Sequence, residues 1–319
     1  MKLPDPVLQI GFATLLDGSR KTVLRDALRD TVRSLSIKAL DAELAEYVPD
    51  SSLAKLAGLN LRGETLFPTP IILKAHPSLV GYYRLLYGYS QKQFYASATG
   101  CGSLKLMEAK GKISPAAEKR LRDLCKAFAK AGAHLLDGIE DHLHNADLFH
   151  ELSLLTLGSQ YRGGANNQRG AAGIKTVFEI IRSIIAESVV SAGDSALEVE
   201  NAAKKRVSIA LAADPDIFIT SHLPSGKRRP IVAIEVKAGE DQSNIHNRIG
   251  EAEKSHLKAK AAGATECWTI INVAQVELEK LKQESRSTDR FYQLSELIDP
   301  GSPGFADFRD RVRDLVGLE

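Results

Sequence analysis

The sequence predicts a mixed α/β fold in which a largely helical N-terminal half precedes a sheet-containing C-terminal half. Two observations carry this. Apolar residues recur at helical spacing through most of the first 150 residues, and the second half runs strand, strand, strand, helix, strand. With 319 residues and 44% hydrophobic content, the chain is long and apolar enough for a substantial core. The division expected from the change of character is a helical region over 1–150 and a core with its loops over 151–319.

From Ser19 to Tyr47, Leu24, Leu28, Val32, Leu35, Leu40 and Leu44 mark one face of an amphipathic helix. After a loop containing Pro68 and Pro70 comes a stretch with Tyr82, Tyr83, Tyr87, Tyr89 and Tyr95, five of the chain's eight tyrosines. Their helical spacing assigns most of them to packing. Ser90, Gln91 and Lys92 are weaker candidates for contact with a nucleic-acid backbone. Pro115 begins a helix expected to reach about His150. Residues 157–173, rich in Gly, Asn and Arg, read as a loop, followed by a helix with Ile174, Val177, Phe178, Ile181 and Ile184 on one face. Strands are expected at Val207–Leu211, Asp216–Thr220, Ile231–Lys237 and Cys267–Val273, with a turn at Pro224–Pro230 and a helix from Gly250 to Ala262.

The net charge of +2 argues against an indiscriminate nucleic-acid binder but allows a selective one with locally concentrated positive charge. Three widely spaced cysteines, Cys101, Cys125 and Cys267, form no disulfide framework or metal motif, which suits a reducing cytoplasm. No signal peptide and no run of about 18 apolar residues is visible, so no membrane association is expected. His142, His144 and His150 resemble a metal cluster on paper, but His142 and His144 do not share a helical face.

The chemistry is concentrated at Asp216, Glu235 and Lys237. Alternation along a strand puts Glu235 and Lys237 on one face, and a neighbouring strand beginning at Asp216 brings a second carboxylate beside Glu235. Two carboxylates and a backbone carbonyl, that of Val236, make a hard oxygen site suited to Mg²⁺. An adjacent lysine can hold a phosphate oxygen and orient or deprotonate a water. The bland alternative is an exposed Glu-x-Lys pair on a solvated strand. Ala233, Ile234 and Val236 oppose it, because they make the strand central, where idle charge is costly.

Three stretches resemble the XcyI family of restriction endonucleases: Leu79–Tyr95, Leu155–Asn166, and Glu235-Val236-Lys237 with Ser243–His256. The likeness spans nearly the whole chain. A more distant one, confined to the second half, is to the BsoBI and AvaI enzymes, with their Arg/Asn/Gly-rich recognition loop, Asp, Glu-x-Lys-x-Gly-x-Asp and helix histidine. The resemblance implies the PD-(D/E)XK nuclease core, a mixed central sheet flanked by helices. It also implies Mg²⁺-dependent type II cleavage of double-stranded DNA at a GC-rich palindrome such as CCCGGG with 5′ overhangs, by a homodimer paired with a cognate DNA methyltransferase. Asp216, Glu235 and Lys237 fill the catalytic positions. Asp216, Glu235 and Val236 fill the metal positions, and Asp241 ends the Glu-x-Lys-x-Gly-x-Asp run. His256 is the candidate helix histidine, with His246 competing. Arg162, Asn166, Asn167 and Arg169 are candidates for base or phosphate contact, since Arg pairs bidentately with guanine and Asn with adenine. Lys227, Arg228, His246 and Arg248 are further DNA-contact candidates. The rival readings are a repair or junction-resolving nuclease of the same fold and a non-cleaving DNA-binding module.

Overall fold

The computed structural model describes residues 6–201, 203–239, 242–273 and 277–318. Asp241 lies outside the described residues. The chain divides into two compact units, residues 1–163 and 164–319.

The first unit is helical throughout. Its helices are α1 (Val7–Arg20), α2 (Arg25–Arg33), α3 (Ile37–Tyr47), α4 (Asp50–Gly58), α5 (Pro70–Ala75), α6 (Val80–Leu86), α7 (Gln91–Phe94), α8 (Lys105–Lys110), α9 (Pro115–Glu118), α10 (Leu121–Gly138) and the first part of α11 (Ala146–Ile184). The apolar face read over Ser19–Tyr47 is shared by two helices. Ser36 breaks it, because its side chain accepts the N–H of Ala39 and caps a new helix start. Leu28, Leu40 and Leu44 are buried in one cluster with Tyr82, Tyr83, Phe128 and Phe149. The tyrosines are packing residues with anchored hydroxyls: Tyr82 and Tyr83 donate to the carbonyls of Thr65 and Glu64. Burial above all pushes the Tyr82 and Tyr83 phenols up, with the charge of Glu64 acting in the same direction, so they stay neutral. Ser90 forms a capping box with Gln93, and Gln91 donates to Glu108. The helix expected from Pro115 to His150 is interrupted after Glu118 and again after Gly138.

The expected loop at 157–173 is helical instead. It lies inside α11, which is 39 residues long. Glycine costs a helix up to about 1 kcal/mol per residue, but it forbids nothing, and no proline interrupts the run. Each end of the helix is anchored in its own unit: Phe149 and Leu157 are buried in the first, and Val177, Phe178 and Ile181 in the second. Packing at both ends overrides the local composition.

The second unit is built on one seven-stranded sheet: β1 (Val189–Ala192), β2 (Ala196–Glu200), β3 (Arg206–Leu211), β4 (Ile217–His222), β5 (Arg228–Lys237), β6 (Glu266–Ile271) and β7 (Arg290–Gln293), in that spatial order. β1 to β5 pair antiparallel, while β5–β6 and β6–β7 pair parallel. A parallel pair needs a crossover. α12 (Ile245–Ala261) supplies the first and α13 (Leu278–Glu284) the second, and α14 (Leu294–Ile298) and α15 (Pro303–Val316) follow. β5 is central and buried over Ile231–Val236. Val232, Ile234 and Val236 join Val177, Phe178, Trp268 and Phe308 in the main core of this unit. No helix among the described residues is long and apolar enough to cross a membrane.

Candidate active site

Register places the two carboxylates. Ile217 of β4 pairs with Ile234 of β5, so the residue before β4, Asp216, falls opposite Glu235. Asp216 is held there by the backbone N–H of Val236, which donates to Oδ2 at 2.8 Å. Glu235 is 4% exposed, a cost that a carboxylate bears only with partners. It has two. Lys237 Nζ donates to Oε2 at 2.6 Å, two residues along the same strand face. Ser255 Oγ, on α12, lies 2.5 Å from Oε1. The same hydroxyl also reaches a carboxylate oxygen of Asp214, and its single proton serves one acceptor at a time. Asp214 is tied in turn to Lys258, which donates to Oδ2 at 2.6 Å.

The electrostatics follow from this crowding. Desolvation, reinforced by the charge of Glu235, raises the Asp216 carboxyl to about 6. Hydrogen bonds from Lys258 and Ser255 hold Asp214 below the usual carboxylate range. Among the described residues no three His, Cys, Asp or Glu side chains cluster so as to chelate an ion by themselves. Mg²⁺ needs no such cage, since it is commonly held by one or two carboxylates, with water and substrate phosphate completing the shell. Two neighbouring hard-oxygen groups, one of them reluctant to ionise beside the other, fit that ion's demands.

Lys237 opens onto a cavity of about 490 Å³, whose lining includes Asn166, Asn167, Arg169, Gly239, Arg248 and Glu251. Three of the four residues expected to contact bases therefore share a cavity with Lys237. They do so from the second part of α11, on a helix and not a loop. Arg162 is exposed on the part of α11 that belongs to the first unit.

The other candidates lie elsewhere. Lys227 and Arg228 are exposed at the hairpin between β4 and β5. Arg228 and Lys237 are the two ends of β5, nine residue steps apart, roughly 30 Å at the rise of an extended chain. His246 is exposed, and its Nδ1 is paired with Glu284 at 2.7 Å. His256 is fully enclosed, and its Nε2 lies 2.8 Å from Thr269 Oγ1. Thr269 is the β6 partner of Glu235, so the imidazole sits over the neighbouring strand on the same face of the sheet as Glu235. Burial lowers its pKa to about 4, leaving it neutral. Ser255 and Asp214 went unremarked in the sequence. The signal for Asp214 was its place one residue ahead of Pro215-Asp216.

A sheet of this kind with paired carboxylates and a lysine on its central strand belongs to the restriction-endonuclease class of folds. The XcyI restriction endonuclease family matches residues 13–319, and the chain belongs to it. It is 50% identical to the type II restriction enzyme XcyI of Xanthomonas campestris pv. cyanopsidis, over 100% of this chain and 96% of that protein. It is 48% identical to the type II restriction enzyme Cfr9I of Citrobacter freundii, over 99% of this chain and 96% of that protein. The chain is thus a type II restriction endonuclease, a site-specific deoxyribonuclease.

Proposed function

We propose that the enzyme uses Mg²⁺ to hydrolyse both strands of double-stranded DNA at a short GC-rich palindrome of the CCCGGG type, leaving 5′ overhangs. In this reading it acts in the cytoplasm as a homodimer, each subunit reading one half-site, beside a cognate DNA methyltransferase that protects the host's own sites. The observation that carries the reading is the convergence of Asp216, Glu235 and Lys237, the last of which lines a cavity together with Asn166, Asn167 and Arg169.

Asp216, Glu235 and the backbone carbonyl of Val236 would hold Mg²⁺, which when bound supplies Lewis-acid polarisation of the phosphoryl group and charge neutralisation. The chain's own residues do the rest. Ser255, on α12, orients Glu235 by donating to its carboxylate. Lys237 is held at the cavity wall by Glu235 and is free to donate toward a non-bridging phosphate oxygen and to orient the attacking water. Asn166, Asn167 and Arg169 supply donors and acceptors suited to base edges, and Arg162 is a further candidate. His256, enclosed against Thr269, acts in this scheme as a support for the strand, while His246, Lys227 and Arg228 supply outlying phosphate contacts.

The test is a plasmid digest with Mg²⁺ and with excess EDTA, followed by sequencing of the ends. Discrete fragments with one common 5′ overhang and no cutting in EDTA are expected. Structure-dependent nicking would instead mean a repair or resolving nuclease, and binding without cutting a non-cleaving module.

A further inference from the structure

Arg248, on α12, is partly enclosed and lines the cavity with Lys237 and Arg169. Its Nη1 is shielded from solvent and has no hydrogen-bond partner among the described residues. Leaving a guanidinium N–H buried and unsatisfied is costly, so the position calls for a partner such as a ligand, a water or an ion. The guanidinium rests against Gly239, two residues past Lys237. A Cβ at 239 would stand 1.8 Å from Nη1 and 2.4 Å from Cζ, so any side chain there would evict it. Gly239 has an ordinary backbone φ, so the turn does not require glycine at this position. What the missing Cβ leaves room for is the Arg248 guanidinium. Glu251, one turn further along α12, is the carboxylate of the same cavity.

We propose that Gly239 is a positioning residue. By leaving its Cβ position to the Arg248 guanidinium, it seats a planar, bidentate phosphate receptor beside Lys237. Arg248 and Lys237 then grip one phosphodiester of the DNA from two sides, with Arg248 fixing the orientation in which Lys237 meets the reacting group. This rests on the nuclease reading of Asp216, Glu235 and Lys237, and adds to it a residue that touches no DNA.

The experiment compares Gly239→Ala, Arg248→Ala, Arg248→Lys and the Gly239→Ala/Arg248→Ala double variant with Lys237→Ala, after thermal melts have verified folding. Gel shifts on a cognate duplex, in Ca²⁺ across a salt series, give affinity, and single-turnover cleavage in Mg²⁺ gives the chemical rate. Gly239→Ala and Arg248→Ala should each lower affinity about 10- to 100-fold, the range for a charge-assisted bidentate contact. The double variant should lose no more than either single one. Arg248→Ala should reduce the salt slope by about 1. Arg248→Lys, which keeps the charge without the fork, should restore the slope but not the cleavage rate. It also tests the geometry independently if Gly239→Ala does not fold. Wild-type binding and cleavage in Arg248→Ala, or multiplied losses in the double variant, would overturn the proposal. Failure of the underlying reading looks different, since Lys237→Ala would then still cut.

Discussion

Asp216 stands across the β4–β5 ladder from Glu235, and the pair share one small, poorly solvated space at the end of β5. Burial and the Glu235 charge lift the Asp216 carboxyl to about 6, above the 3.8 expected of the unfolded chain. Between those values the folded protein binds more protons than the unfolded one, so this residue's contribution to stability falls as pH rises from about 4 to about 6. Above pH 6 the penalty is fully present. In EDTA, Asp216→Asn should therefore stabilise the protein at pH 7.5 by on the order of 1–2 kcal/mol, allowing for partial solvent screening. The gain should vanish near pH 4. Thermal melts across that range check it, and a lower melting temperature for the variant at pH 7.5 would contradict the assigned electrostatics.

Ser255 links Glu235 to Asp214 through one hydroxyl. Removing it takes the one shared proton donor from the two carboxylates, at a serine that is only 6% exposed. Ser255→Ala should cost about 1–2 kcal/mol of stability and slow cleavage about 10-fold. Binding to the cognate duplex should stay within a factor of about 3. A rate unchanged from wild type would mean that Glu235 needs no support from α12.

The glycines of α11 differ in what surrounds them. Nothing lies within 4 Å of a Cβ built on Gly164, whereas one on Gly173 would stand 2.1 Å from the Ala238 Cβ. Gly164→Ala should stabilise the metal-free protein by up to about 1 kcal/mol through helix propensity. Gly173→Ala should destabilise it by about 1–3 kcal/mol through overpacking against the residue after Lys237. Denaturant melts separate the two. If DNA approaches the backbone at Gly164, that variant also binds more weakly while being more stable.

Arg169 and Asn166 share the cavity with Lys237. If Arg169 reads a guanine, Arg169→Ala should cost about 1–3 kcal/mol on the cognate duplex and far less on random sequence. Equal losses on both would make it a phosphate contact.

Much of this was legible in the residues, and what was not has identifiable causes. β3 to β6 are apolar or alternating runs bounded by turn residues, so their existence and order could be read directly. β1 and β7 have only four residues each, and β2 is a five-residue run in which Leu and Val alternate with Glu, all too short to stand out. The helicity of 157–173 was hidden because composition reports local cost, whereas the outcome depends on anchors such as Leu157 and Phe178 on either side. Asp216, Glu235 and Lys237 lie within 22 consecutive residues on paired strands, so strand alternation alone brings them together. Ser255, and the fit of Arg248 over Gly239, depend on how α12 folds back across β5, which no local pattern encodes.

The sharpest expectation concerns Glu235 and Lys237. They form an ion pair with little exposure, 6% and 17% at the side chain. If the pair were only structural, replacing Lys237 would leave a buried carboxylate without its cation, a loss in the region of 3–5 kcal/mol for a fully buried pair, and cleavage by the folded fraction would persist. If Lys237 acts on the phosphate and water, its effect is felt mostly as charge develops in the transition state. Lys237→Ala and Glu235→Ala should then lower the single-turnover rate by at least about 10²–10³, the cost of removing one transition-state contact. Specific binding in Ca²⁺ should persist. Glu235→Gln supplies the control, because it keeps shape and hydrogen bonding while removing the charge, and it should fold well and cut no better than Glu235→Ala. A gel-shift titration and a cleavage time course on the same folded preparations decide the matter. A Lys237→Ala enzyme that binds and cuts like wild type would remove this strand from the reaction.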